Sequence, residues 1–312
     1  MPPVAHWDDA PPYRRERGHL AGTWYDLGTA AGSITIGVKR IQVDPSKWST
    51  PAHVEGSEEE IFYVLSGSGI SWQFDGESGA AYSVHEGDCL VHRALGEAHT
   101  LRAGPEGLDV LAFGQRAYAD GVTYLPRAEV AWLGNTWALV GGEENHPWTR
   151  EAGAGEPAVG ELLERPPSIV NAADIEPFER REGGSAFVDR DLGSAAGSAR
   201  TGLSQVTIAP GMAGYPPHCH SAEEELFVVL DGEGVVVLGD EEHSIRRGTV
   251  IARPAGTRVA HSFRASEGGL TYLAYGTREP NDIAYYPRSN KISFRGVGLI
   301  TRLEKVDYWD GE

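Results

Sequence analysis

The sequence predicts an all-β protein of two tandem domains, and three observations carry that prediction. The first is a set of short runs, among them "EIFYVLSG", "ELFVVLDG", "GVVVLGD", "GTVIARP" and "LTYLAYG". Each is rich in Val, Ile, Leu and aromatics and is bounded by Gly, Pro or Asp, as strands of a sandwich or barrel are. The second is turn chemistry: 40 glycines and 19 prolines in 312 residues, with no long helical periodicity. The third is that the chain is written twice.

The duplication runs almost end to end. "DLGTAAGSITIGVKRIQVDP" from Asp26 matches "DLGSAAGSARTGLSQVTIAP" from Asp191, an offset of 165 residues that also relates His53 to His218. The leader repeats too, "DDAPPYRRERG" from Asp8 against "ADIEPFERREG" from Ala173. Downstream, "LAFGQRAYADGVTYLPR" from Leu111 pairs with "LAYGTREPNDIAYYPR" from Leu273 at an offset of 162, so a few net deletions fall between Gly67 and His99. Between the copies, "TREAGAGEPAVGELLERPP" is rich in Gly, Pro and Glu and lacks periodicity. The expected organisation is residues 1–148, a linker at 149–167, and residues 168–312, each half of common domain size. A helical turn is expected at most around residues 169–182.

Composition narrows the function. A net charge of −18 argues against nucleic acid, whose phosphates call for clustered Lys and Arg, and its plainest meaning is solubility. No run reaches the length of a membrane span, and the N-terminus lacks the apolar core of a secretory signal. Cys89 and Cys219 form no CxxC pair, so the expectation is a reduced, cytoplasmic protein.

The chemistry concentrates in "PPHCHSAEEELFVVLDGEG". Alternate residues of a strand share a face, so His218 and His220 project together while Cys219 points away as a small packed side chain. Glu225 lies five residues beyond His220, so a turn through "SAEE", taking Glu223 and Glu224 with it, must reset the strand. A third imidazole, His261, re-enters a strand after a Pro-Ala-Gly turn. Three imidazoles and one carboxylate suit a divalent transition metal: Fe, Mn, Ni, Cu, Co or Zn. His6, His19, His85, His92, His146 and His243 read as surface or hydrogen-bonded residues.

These residues resemble the cupin superfamily. "HCHSAEEELFVVLDG" fits the first cupin motif with His218, His220, Glu225 and Gly232. "GTVIARPAGTRVAH" is similar to the second with Gly248, Pro254, Gly256 and His261, with four residues between Gly256 and His261. The resemblance implies two double-stranded β-helix (jelly-roll) barrels, a bicupin, with the metal held by His218, His220, Glu225 and His261. In the first half the corresponding set is His53, Glu55, Glu60 and His99, with Ala94 where the motif usually has proline. Only the second histidine is replaced. Either Glu55 still coordinates, favouring harder ions such as Mn or Fe, or the site is degenerate; a weak or absent second metal is the preferred expectation.

The family hosts dioxygenases, decarboxylases, isomerases, epimerases and storage proteins, so the resemblance selects no reaction by itself. Bicupins with one intact site resemble ring-cleaving or flavonol dioxygenases, those with two resemble oxalate decarboxylases, and Glu55 tilts against the latter. Strand parity places Phe227 with Glu225 and Phe263 with His261, while Arg253 and Arg258 flank the His261 turn. Phe227, Phe263 and Arg258 are the candidates to line a substrate cavity. The expected function is a metal-dependent, dioxygenase-type oxidoreductase acting on a small oxygenated or aromatic molecule. The alternatives are a metal-stabilised ligand-binding or structural bicupin, or a decarboxylase or isomerase. The outer strand face, Leu226, Val228 and Leu230, should be covered by the other domain, in a monomer or homodimer.

Overall fold

Alternation along two long strands decides how the halves meet. In strand Glu225–Leu238, residues 226–229 are all buried, which requires cover on both faces. Phe227 and Val229 enter the interior of the C-terminal barrel with Val206, Phe263 and Tyr272. Leu226 and Val228 face the opposite way, into a core shared with Ile61, Tyr63, Leu111 and Phe113 of the first half. Strand Glu60–Phe74 repeats the division, with Phe62 and Val64 inside its own barrel. The face expected to meet the other domain therefore does so, and Leu230 packs at the edge of the same core.

The computed structural model describes residues 3–116, 121–133, 136–137 and 143–311. It is an all-β protein of antiparallel sheets, with one eight-stranded and one four-stranded sheet in each half. In the second half the large sheet runs, in spatial order, Val4–His6, Thr249–Arg253, Glu225–Leu238, His261–Thr277, Thr201–Ile208, Ser185–Asp191 and Phe178–Glu182. The first half follows the same order with Ile169–Asn171 as its leading edge, then Asp88–His92, Glu60–Phe74 and Ala98–Gln115. Gly232 sits at φ 77° where an added Cβ would lie 2.2 Å from the Gly269 carbonyl oxygen, so this crossing admits only glycine.

The edge strands are exchanged. Val4–His6, at the start of the chain, pairs with Thr249–Arg253 of the second barrel, and Ile169–Asn171 pairs with Asp88–His92 of the first. Each of the expected domains thus lends a strand to the other. Residues 149–167 also depart from a plain linker. Helix Pro147–Ala154 spans their start, with proline in its first turn and the His146 ring accepting from the Trp148 N–H. It is anchored by buried Trp148, and further along Leu163 N–H donates to the Ala81 carbonyl at 3.1 Å. The turn expected around 169–182 is a single 3-10 turn, Ala172–Asp174.

Two carboxylates lock the halves reciprocally. Glu224 is buried and accepts from Ile34 N–H (2.7 Å), Thr35 N–H (2.5 Å) and the Thr35 hydroxyl (2.6 Å). Its duplicate, Glu59, accepts from the Ser198 hydroxyl (2.5 Å), the Ala199 and Thr201 N–H groups (3.0 and 3.2 Å) and the Thr201 hydroxyl (2.7 Å). Burial pushes the Glu59 carboxyl up, but the hydrogen bonds from Ser198 and Thr201 outweigh it and hold the group below its ordinary value. Among the described residues no helix is long and apolar enough to cross a membrane.

Candidate metal centre and cavity

Each residue of the C-terminal set is placed by backbone pairing. His218 and His261 are bridged through both backbone groups (3.2 and 2.9 Å), and the short strand Cys219–His220 pairs with Ile283–Tyr286. The His218 Nδ1–H donates to the Pro216 carbonyl at 2.8 Å, which leaves Nε2 free to face inward. Glu225 opens its strand with Oε2 3.1 Å from His261 Nε2 and 3.4 Å from His220 Nε2. Ligand atoms of His218, Glu225 and His261 all lie within 4.8 Å of one another. Cys219 points away, its sulfur 3.9 Å from the Tyr285 carbonyl.

Asp282, which the sequence reading did not single out, holds His220. Its Oδ2 accepts from His220 Nδ1 at 2.6 Å, while Oδ1 accepts from the N–H groups of Ser221 (3.1 Å), Ala222 (2.9 Å) and Glu223 (3.2 Å). Burial, the largest single influence, pushes the Asp282 carboxyl up, but the His220 hydrogen bond and the backbone N–H groups together outweigh it and lower it to about 2. Burial would likewise lower the His220 imidazole, but the Asp282 hydrogen bond and the charges of Glu225, Asp282 and Glu223 together raise it. Glu225 is pushed up by burial and down, further, by His261 and the other imidazoles.

This donor set fits a metal ion. His220 Nε2 and Glu225 Oε2 are buried without a hydrogen-bond partner, a costly arrangement that an ion between them would relieve. The chemistry, three imidazoles and a carboxylate with the His218 and His220 ring protons directed away, matches a divalent transition metal.

In the N-terminal set His53, Glu60 and His99 gather within 4.8 Å of one another as their duplicates do, and the fourth member stands apart. Glu60 Oε2 lies 3.0 Å from His99 Nε2 and 3.3 Å from His53 Nε2. Glu55 reaches the cluster only at 4.0 Å from His53 Nε2, and its other oxygen accepts from the Thr123 hydroxyl at 2.7 Å. Burial and the neighbouring Glu60 push the Glu55 carboxyl up to about 7. Among the described residues no polar atom of this set is buried without a partner, so the groups satisfy one another as they stand. His92, read as an ordinary surface or hydrogen-bonded residue, is instead buried and stacked on His99 with ring centroids 3.7 Å apart. Burial holds it well below the usual imidazole range, hence neutral. It stands opposite Glu60 where Arg253 stands opposite Glu225.

The two barrels also differ in what they enclose. The C-terminal centre opens on a cavity of about 650 Å³. Phe227 and Phe263 line it as expected, with Tyr215, Tyr272 and Tyr286. Phe227 lies 5.2 Å from the His261 ring and 4.9 Å from Phe263, which stacks on Tyr272 at 4.5 Å. Arg258 does not line it: it is exposed at φ 60° on a turn that points outward. The turn is held by buried Arg253, which donates to the Val259 carbonyl at 2.7 Å. The arginines at the cavity are Arg278, paired with Asp191 (3.4 Å) and the Ser198 carbonyl (3.1 Å), and Arg295, paired with Glu223. The matching N-terminal cavity is about 270 Å³. Beside the first barrel's interior core, Trp48, Trp72 and Trp148 form a separate buried cluster with Trp24 against it, where the duplicate positions of Trp48, Trp72 and Trp24 are Ala213, Val237 and Asp189.

Comparisons with known proteins agree with this architecture. The cupin domain model matches residues 39–112 and again residues 204–273. Among curated protein sequences none matches significantly. Similar solved structures include an oxalate decarboxylase mutant from Bacillus subtilis, 18% identical with a TM-score of 0.59, covering 87% of this chain and 76% of that one. A Lactobacillus farciminis oxalate decarboxylase formate complex is 15% identical with a TM-score of 0.60, covering 90% and 87%. Vicilin from Corylus avellana (hazelnut) is 18% identical with a TM-score of 0.60, covering 92% and 88%. At such identities the likeness speaks to fold.

Proposed function

Because this chain belongs to the cupin superfamily and carries two cupin domains in tandem, we propose that it is a metal-dependent oxidoreductase of the dioxygenase type, acting on a small, uncharged aromatic molecule in its C-terminal barrel. The observation that carries the proposal is a metal-competent centre with two orphaned donor atoms opening on a cavity of about 650 Å³ walled by aromatics. Cavities of roughly 300–1,000 Å³ suit drug-sized organic ligands.

His218, Glu225 and His261 would hold the metal, joined by His220, whose Nε2 lies 3.4 Å from Glu225 and whose tautomer Asp282 would fix. Bound there, a redox-active divalent metal supplies Lewis acidity and a meeting place for substrate oxygen and O₂. Phe227, Phe263 and Tyr272, packed on one another, would offer a planar ring one apolar wall. Both atoms of O₂ end in the organic product, so no external reductant is needed.

The structural neighbours make oxalate decarboxylation the second reading. Two features weigh against it: the cavity is far larger than that small dianion, and both lining arginines are already engaged by carboxylates or carbonyls. The test is metal content after reconstitution, followed by O₂ uptake with phenolic and diketone compounds and by product analysis with oxalate. The expected result is one metal equivalent per chain, lost in His220→Ala, and O₂-dependent turnover of an aromatic compound. Oxalate turnover would replace the proposal with the second reading, and a chain that takes up no metal would overturn both.

A further inference from the structure

A carboxylate in an aromatic cavity is expensive, and this cavity contains one that the metal centre does not use. Asp189, at the end of the cavity where Tyr272 lies, receives the Tyr215 hydroxyl on Oδ2 at 2.6 Å. Its Oδ1 is buried and makes no hydrogen bond of good geometry, although the Ser204 hydroxyl is close enough to lower the carboxyl. The Tyr215 ring is steadied by Phe187, 4.3 Å away. The duplicate positions in the first half are Trp24 and Thr50. The carboxylate and its phenol therefore belong to the half with the larger cavity.

We propose that Asp189, oriented by Tyr215, is the substrate-recognition group of the C-terminal cavity: Oδ1 accepts a hydrogen bond from a hydroxyl on an uncharged aromatic substrate and turns away aromatic carboxylates. An orphaned acceptor is satisfied by a ligand donor and penalised by a ligand anion, and such sites discriminate more strongly than apolar contacts do. The rest of the wall points the same way. Asp191, Glu223 and Asp282 also line the cavity, and Arg278 and Arg295, its lining arginines, are spent on Asp191 and Glu223. Burial lifts the Asp189 carboxyl above its ordinary range, the mark of a charge the protein alone leaves under-compensated.

The inference rests on the C-terminal cavity being the substrate site but not on the metal, so it is tested on metal-free full-length protein. The probes are 2-naphthol and naphthalene-2-carboxylate, matched in ring shape and followed by fluorescence and calorimetric titration. Wild type should bind the naphthol about tenfold or more tighter than the carboxylate. In Asp189→Asn the acceptor becomes a donor, so naphthol binding should fall about tenfold and the preference should narrow or invert. Tyr215→Phe keeps the carboxylate but frees its orientation, and should weaken naphthol binding by a smaller factor without inverting the preference. Equal affinity of the two probes for wild type, a preference unchanged in Asp189→Asn, or no binding of either probe would overturn the inference. Metal content, measured separately, reports on the proposed function: a preference without metal would leave this inference standing and sink that one.

Discussion

Replacing Asp282 by asparagine should cost the C-terminal centre about 10–100-fold in metal affinity, or about 1.4–2.7 kcal/mol. The size follows from how the carboxylate is shared. One oxygen receives three successive backbone N–H groups, from Ser221 to Glu223, and the other receives His220 Nδ1 at 2.6 Å. An asparagine would keep its oxygen on the backbone donors, of which only Ser221 N–H has a second acceptor in the Ile283 carbonyl (3.1 Å), and would turn its NH₂ toward His220. Nδ1 must then accept, the ring proton moves to Nε2, and the nitrogen that faces the metal loses its lone pair. Competition against a chromophoric chelator measures the affinity, and ¹⁵N shifts of the His220 ring report the tautomer. Affinity within twofold of wild type would refute the reasoning, as would lost affinity with the proton still on Nδ1.

Three further outcomes are expected. Glu224→Ala leaves the Ile34 and Thr35 N–H groups without their acceptor and should destabilise the chain by about 2–4 kcal/mol, read as a lower urea midpoint; a midpoint unchanged from wild type would show that the reciprocal lock contributes nothing. The Glu59 carboxyl is lowered in the folded state, so its contribution is present above the ordinary value of 4.5 and is lost as pH falls from there through the folded value. Urea midpoints followed across that window should fall in wild type and flatten in Glu59→Gln. Trp48→Ala removes a fully buried side chain from the N-terminal tryptophan cluster and should cost about 3–5 kcal/mol in urea denaturation, with a smaller loss if the neighbours collapse onto the space.

What the sequence could disclose depended on how far apart the cooperating residues lie. His218 and His220 share a face because strands alternate, and Glu225 and His261 could be matched to motif positions, so the donor set was readable from local rules. Asp282 is 62 residues from His220 and arrives only through the pairing of Cys219–His220 with Ile283–Tyr286. Its duplicate position, Asp120, lies outside the described residues. Glu59 and Glu224 were visible as a matched pair within "SEEE" and "AEEE", but their acceptor role depends on how two barrels face each other, which no single-chain periodicity encodes. Trp148 stands one residue before the segment read as a linker, and its helix runs into that segment, although Pro147 after His146 is a helix-start signal. The difference between the two halves did leave a trace in the sequence, in Trp24 against Asp189 and Trp48 against Ala213. It was legible only by comparing the copies for size rather than for likeness.

The exchanged edge strands set an order of assembly at the ribosome. The first barrel cannot finish its large sheet until Ile169–Asn171 has emerged, after nearly all of its own sequence is already outside. Val4–His6 is made first and has its partner, Thr249–Arg253, only some 240 residues later. Until then it is an unpaired β-segment in a nascent chain, open to capture by a neighbouring polypeptide or a chaperone. A cut between residues 148 and 168 would not release two self-sufficient barrels but two sheets, each missing one edge and each carrying the other's. Mixing the separately made pieces should therefore restore what neither keeps alone.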